Sequence, residues 1–244
     1  MKARLARYAP VQLMDYMIER GGVTLAMGLL FGWILVLGRS QASAGWSEGE
    51  AGLRAIRVFF VSTLGLFTMF GTLTAVNGMI SNDRVKGTFR FLFSKPVGVL
   101  PYYAQAWVVH GVGLLAVVSV LMGLFSVIIR PFFPPQILLF VGMTYVLVGG
   151  IGFLLSAITK RDGTMLVVFW LLSLVLRARF GGESGLVPGL VKLLTPPAGE
   201  VTNMVGAVVT GTPIDMAIMW TSLAYGAVCF TAGLAVLRYR SMTL

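Results

Sequence analysis

Charge is scarce in this sequence. Charged residues make up 11% of the 244, against roughly 25% in soluble domains, while 57% are hydrophobic and the mean hydropathy is +0.87. Acids are rarer than bases: nine Asp and Glu stand against 19 Lys and Arg, a formal net charge of +10. There is one cysteine, Cys229, so no disulfide and no cysteine-based metal site can form within one chain. Cys229 stands in an apolar run and reads as a buried, inert thiol. The one histidine, His110, also lies in an apolar run, which leaves no histidine cluster for a metal. It is read as satisfied by local partners, with a functional role as the alternative. No Gly-Lys pair occurs, so the phosphate-binding loop Gly-x-x-x-x-Gly-Lys-[Ser/Thr] is absent, as are His-Glu-x-x-His and Gly-x-Ser-x-Gly. The carboxylates fall in loops or at run ends, and no paired intramembrane acids suggest a proton or sodium relay. These absences argue against an intramembrane hydrolase and an ion-coupled carrier.

Long apolar runs are what the sequence has. A spanning helix needs ~20 mostly apolar residues. Candidate spans cover residues 22–37, 58–80, 102–129, 137–158, 164–176 and 214–237. In lipid every backbone polar group needs an internal partner, so only helices and closed barrels cross. The runs are continuous rather than alternating, which excludes the barrel. The expected fold is therefore an all-α integral membrane protein with six transmembrane helices.

Residues 2–20 read as an N-terminal amphipathic helix lying in the cytoplasmic interface. Leu13, Met14, Met17 and Ile18 form one face, and Lys2, Arg4, Arg7 and Arg20 surround it, which suits anionic membrane lipid. With the N-terminus inside, twelve of the 19 bases fall on the cytoplasmic side. That bias places both termini in the cytoplasm and explains the net charge by topology, not by nucleic-acid binding. Ala42-Ser43-Ala44 after the first run imitates a signal-peptide cleavage site, but the charged lead-in is too long, and the run is read as a retained span.

The fifth run is short. Thirteen residues at ~1.5 Å each reach ~20 Å, against a hydrocarbon core of ~30 Å. Residues 177–213 follow, with two apolar pieces, 186–194 and 201–209, split by Thr195-Pro196-Pro197. Two readings stay open: re-entrant half-helices covered by protein or water, or an extracytoplasmic loop resting on the membrane. Gly28 and Gly32 form a small-xxx-small pattern, a candidate for helix packing within the chain or between chains. As one transmembrane domain over 1–244, the chain divides into an interfacial helix (1–21), spans one and two (22–80), a charged insert (81–97), spans three to five (98–176), the broken segment (177–213) and the last span with its tail (214–244).

The insert contains NDRVKGTFRFLFSKP, residues 82–96. As a helix it places Val85, Phe89, Leu92 and Phe93 on one side and Lys86 and Arg90 on another. Ser81 or Asn82 can cap it, Asp83 and Lys95 suit the two ends of its dipole, and Pro96 stops it. Gly87 costs ~1 kcal/mol inside a helix, so its presence suggests a close approach or a bend. The insert serves either topology alone or docking of a cytoplasmic partner.

The run from Gly78 to Trp107, GMISNDRVKGTFRFLFSKPVGVLPYYAQAW, resembles the signature of ABC-transporter permeases of the type-2 exporter class. Asp83-Arg84, Gly87-Thr88, Phe91-Leu92-Phe93, Ser94-Lys95-Pro96-Val97 and Tyr102-Tyr103 occupy the motif positions. Asp83 stands alone where the family lead is richer in Glu, and Gln105 stands where Lys is frequent. The Glu-Ala-Ala…Gly motif of importers is absent. The resemblance implies that residues 81–97 are a coupling helix seated on a separate ABC ATPase subunit. Its contacts would come from Asn82, Asp83, Arg84, Lys86, Gly87, Thr88, Phe89, Arg90, Ser94 and Lys95, with a minor contact from Lys160, Arg161 and Asp162. It further implies two permease chains, expected as a homodimer, in the cell membrane. ATP and Mg would sit on the partner, with no cofactor or catalytic residue in this chain. A permease-like scaffold acting on an extracytoplasmic partner is the rival reading.

Overall fold

The computed structural model describes residues 8–45, 50–85, 98–128, 136–159, 162–180, 182, 185–210 and 212–240. Among these every regular element is helical: α1 (Ala9–Tyr16), a π-helical turn (Met17–Gly21), α2 (Gly22–Gly45), α3 (Glu50–Val76), α4 (Ser81–Val85), α5 (Val99–Ile128), α6 (Gln136–Ile158), α7 (Asp162–Phe180), α8 (Leu186–Leu194), α9 (Ala198–Thr210) and α10 (Met216–Arg240). Among the described residues six helical stretches are long and apolar enough to cross a membrane, so the chain is a multi-pass helical membrane protein.

The first of those stretches runs through the residues expected as an interfacial helix. The chain does not break at Gly21-Gly22; α1, the π turn and α2 are continuous, and the candidate span is Ala9–Ile34. Contacts along this helix advance in step with α5. Gln12 Nε2 donates to the Tyr102 carbonyl, the Tyr16 ring lies 5.2 Å from that of His110, and Gly28 and Gly32 face Leu121 and Phe125. The inner face is a stripe at every fourth residue: Gln12, Tyr16, Arg20, Thr24, Gly28 and Gly32. In a regular α-helix such a stripe drifts about 40° per step. The wider π turn takes up roughly one residue and so offsets much of that drift. Leu13, Met14, Met17 and Ile18 point outward, as their apolar character requires.

The central helix is α6. Val141, Leu147, Val148, Phe153 and Ala157 are fully buried along it. Lipid tails are as apolar as leucine, so close packing and interhelical hydrogen bonds hold such a bundle more than exclusion of water. The tightest pair is α6 with α10. A Cβ on Gly150 would strike the Gly226 carbonyl, and one on Gly226 would strike the Val146 carbonyl, so the backbones touch. Trp107 of α5 stacks on Phe230 of α10 at 4.4 Å, and Tyr145 of α6 donates to the Trp107 carbonyl at 2.5 Å. Cys229 is half-buried, a free thiol among the partly buried residues packed against this core.

The fifth helix is longer than its apolar run. α7 has 19 residues, or ~28 Å, and continues through Arg177 and Arg179. The extension is possible because Arg177 is fully engaged. It pairs with Glu200 of α9 and donates to Thr195 Oγ1 at 2.9 Å and to the carbonyls of Lys192 and Thr195. This one side chain clamps the hairpin formed by α8, the buried Thr195-Pro196-Pro197 turn and α9. Tyr225, two and a half turns into α10, donates to the Leu194 carbonyl at 2.7 Å. Val201, Met204, Val205 and Val208 of α9 pack into the core, whereas Leu186, Leu190 and Leu193 of α8 face outward. Asp215 caps α10 by accepting from the Ala217 amide at 2.8 Å.

Arg177→Met keeps the length of the stem but removes these donors. It is expected to destabilise the hairpin by about 2 kcal/mol, a figure held down because Glu200 is 44% exposed. Hydrogen–deuterium exchange should speed up across residues 186–210 and stay unchanged in α6. Unaltered exchange in the hairpin would refute the clamp.

Candidate functional site

The insert is preceded by a fixed turn. α3 ends at Val76, and residues 77–80 form a turn in which Gly78 has φ +73°, a conformation that favours glycine. A Cβ at Gly78 would also collide with the Asn82 side chain. The Asn82 amide donates to the Gly78 carbonyl at 3.2 Å. The Ile80 and Ser81 amides both donate to Ser156 Oγ of α6 at 3.3 Å, and all three residues are buried. Tyr103 of α5 donates its hydroxyl to Asp83 at 3.1 Å. The first residues of the insert are therefore tied to α5 and to the central helix. Around this end Met79, Ile80, Tyr103, Phe153, Ala157 and Leu237 form a second core, and Tyr8 lies against Tyr102. The first and last described residues thus lie near one end of the bundle.

Of the residues expected in a coupling helix, Asn82 and Asp83 stand at this turn, and Arg84 and Val85 complete α4. Lys86, Gly87, Thr88, Phe89, Arg90, Ser94 and Lys95 lie outside the described residues, as do Lys160 and Arg161. Asp162 opens α7. The α7 end is adjacent to the turn: a Cβ on Gly163 would strike the Asn77 side chain. Gly28 and Gly32 lie elsewhere, on the α2–α5 seam, where Leu121 and Phe125 fill the space a Cβ would need.

Beside the turn lies a polar cluster that the sequence reading did not single out as a group. Arg20 donates to the Ala75 carbonyl at 2.8 Å and approaches His110 Nδ1 at 2.9 Å. His110 Nδ1 also lies 2.9 Å from the Ala75 carbonyl, so Arg20, His110 and that carbonyl meet at one point. The lone histidine is thus satisfied within the bundle. Two cavities, of about 450 and 240 Å³, adjoin here and share Glu19, Arg20 and Asn82 in their walls. Asn77 and Thr74 line the larger; Gln12, Asp15, Tyr16 and Asp83 line the smaller. The available signal was the four-residue spacing of Gln12, Tyr16 and Arg20, obscured by the stronger apolar face of the same helix.

Ser156→Ala leaves two buried amides without their acceptor. It is expected to cost about 1–3 kcal/mol, read as a lower thermal unfolding temperature in detergent. An unchanged temperature would show that Ser156 does not hold the turn.

No family model matches the chain, and the search of curated proteins returned no match.

Proposed function

We propose that this chain is the membrane-spanning permease subunit of an ATP-driven exporter and that it works with a separate ABC ATPase subunit. The observation that carries the reading is the rigid root of the charged insert. A segment that only set topology would need no fixed attachment. Here the turn is bound to α6 through Ser156 and to α5 through Tyr103. A push on residues 81–97 would pass directly to the central helix and, through the Gly150–Gly226 contact, to α10. The absence of a phosphate-binding loop from the sequence fits a division of labour in which ATP and Mg sit on the partner.

In this reading the end bearing the turn faces the cytoplasm, both termini lie there, and residues 81–97 form the coupling helix. Two permease chains, as a homodimer, complete the complex. The hairpin α8–α9 is a re-entrant element from the opposite face, with its Thr195-Pro196-Pro197 apex covered by protein. Rocking of packed helices about their interfaces would then alternate access between the two sides. The reading is tested by replacing insert residues and measuring retention of the ATPase, as set out in the Discussion.

A further inference from the structure

α1 is amphipathic, and it is packed by its polar side. Gln12, Asp15, Tyr16 and Glu19 are turned to α5 and the turn, whereas Leu13, Met14, Met17 and Ile18 are exposed on the opposite side. That is the pattern of a helix built to lie on a membrane surface, with its apolar face in lipid and its polar face in water. The packed position serves the polar side poorly at one point. Gln12 is 5% exposed, its Nε2 lies 3.4 Å from the Tyr102 carbonyl, and its Oε1 has no partner. Water would satisfy both atoms. What holds α1 in place is Tyr16. Its ring fills a notch at Gly113 of α5, where a Cβ would lie 2.5 Å from two ring carbons, and its hydroxyl is bonded to Thr24 beyond the π turn. The joint with α2 is that π turn followed by Gly22, and π turns and small-residue pairs are where helices bend. Arg20, within the turn, donates to the Ala75 carbonyl of α3 at 2.8 Å, which fixes the pivot. Between α1 and the turn at residues 77–83 lies the smaller cavity, about 240 Å³, so α1 stands beside that turn without packing tightly on it.

We propose that α1 is a strap with two positions. In one it stands against α5, with Tyr16 seated at Gly113, and walls off the turn. In the other it bends at the π turn and lies along the membrane surface on the same apolar side. There its polar side meets water, and the Tyr103–Asp83 bond that roots the insert is uncovered. The strap thereby controls access to the root of residues 81–97. Both positions belong to this chain alone and need no ATPase, so their test stands apart from the exporter reading.

The experiment uses the full chain in phosphatidylcholine nanodiscs, with Cys229→Ser removing the free thiol and nitroxide labels at Val11→Cys and Leu30→Cys, both exposed positions. A straight helix sets these two backbone positions about 28 Å apart, and a right-angle bend at the π turn brings them to roughly 20 Å. Pulsed dipolar spectroscopy is expected to show both distances in this parent. Gly113→Leu fills the seat of the Tyr16 ring and should raise the short-distance population about threefold. Gly123→Leu, on the same helix with nothing within 4 Å of a built Cβ, should leave it unchanged. Gln12→Leu gives the packed side an apolar residue in place of an unpaired oxygen and should lower the short-distance population about threefold. A single distance near 28 Å in the parent would overturn the proposal whether or not Gly113→Leu folds. A short-distance population that rises in Gln12→Leu would overturn it as well.

Discussion

Gly226→Leu is expected to leave little folded protein in the membrane. At this position α6 and α10 touch backbone to backbone, and the new Cβ would meet the Val146 carbonyl and the Leu147 Cα. Backbone cannot step aside as a side-chain tip can, so the two helices would have to separate. Overpacking a close-packed core costs about 1–3 kcal/mol even where side chains can move, and more is expected here. Separation would also disturb the Trp107–Phe230 stack and the contacts of Phe153 with Gly233 and Phe230. The natural control is a glycine in open space. Gly206 has nothing within 4 Å of a built Cβ, so Gly206→Ala should be neutral or stabilise by roughly 0.5–1 kcal/mol. Size-exclusion profiles and thermal unfolding in detergent check both. A monodisperse Gly226→Leu protein with native stability would contradict the packing described for α6 and α10.

Gly87→Trp, and separately Phe89→Asp with Arg90→Glu, are expected to release the ATPase subunit while the helices stay folded. The first puts a large side chain at the glycine that the proposed interface would need for close approach. The second reverses one charge and adds another in a segment whose bases and aromatics alternate. Both changes lie beyond the Ser156 and Tyr103 anchors, so the bundle should unfold at the same temperature as the parent chain. Loss of at least tenfold in ATPase retention at equal protein yield is the expected result, about 1.4 kcal/mol or more of interface energy. Normal assembly in both variants would remove residues 81–97 from the interface.

Much of the bundle was legible because a span needs a continuous apolar run. α5 and α6 lie within a few residues of the runs that announced them, and Pro101 in the first turn of α5 is where a helix tolerates it. What failed did so for definite reasons. A π turn carries the helix through Gly21-Gly22, and nothing in the glycine pair announces it. Arg177 ended the fifth apolar run without ending the helix, because Glu200, Thr195 and the Lys192 carbonyl satisfy its charge and donors. Those partners are remote in sequence and leave no local signal. Gly28 and Gly32 carried a readable spacing, whereas the closer contact at Gly150 and Gly226 did not, since glycine is common in spans. Asp83 and Asn82 were legible as the start of a helix. Ser156 as the anchor beneath them was not, because it sits more than seventy residues along the chain. The cavity chemistry was equally hidden: Gln12 and Tyr16 gain meaning only when α5 closes over them.

The most direct test of the exporter account is a purification. The tagged chain is extracted from its own membrane in mild detergent, and the eluate is assayed for composition and ATP hydrolysis. The account predicts a second subunit in equal amount, carrying the phosphate-binding loop this chain lacks, and ATP hydrolysis that disappears from the Gly87→Trp eluate. A stable chain recovered alone, with transport activity and no ATP hydrolysis, would contradict it.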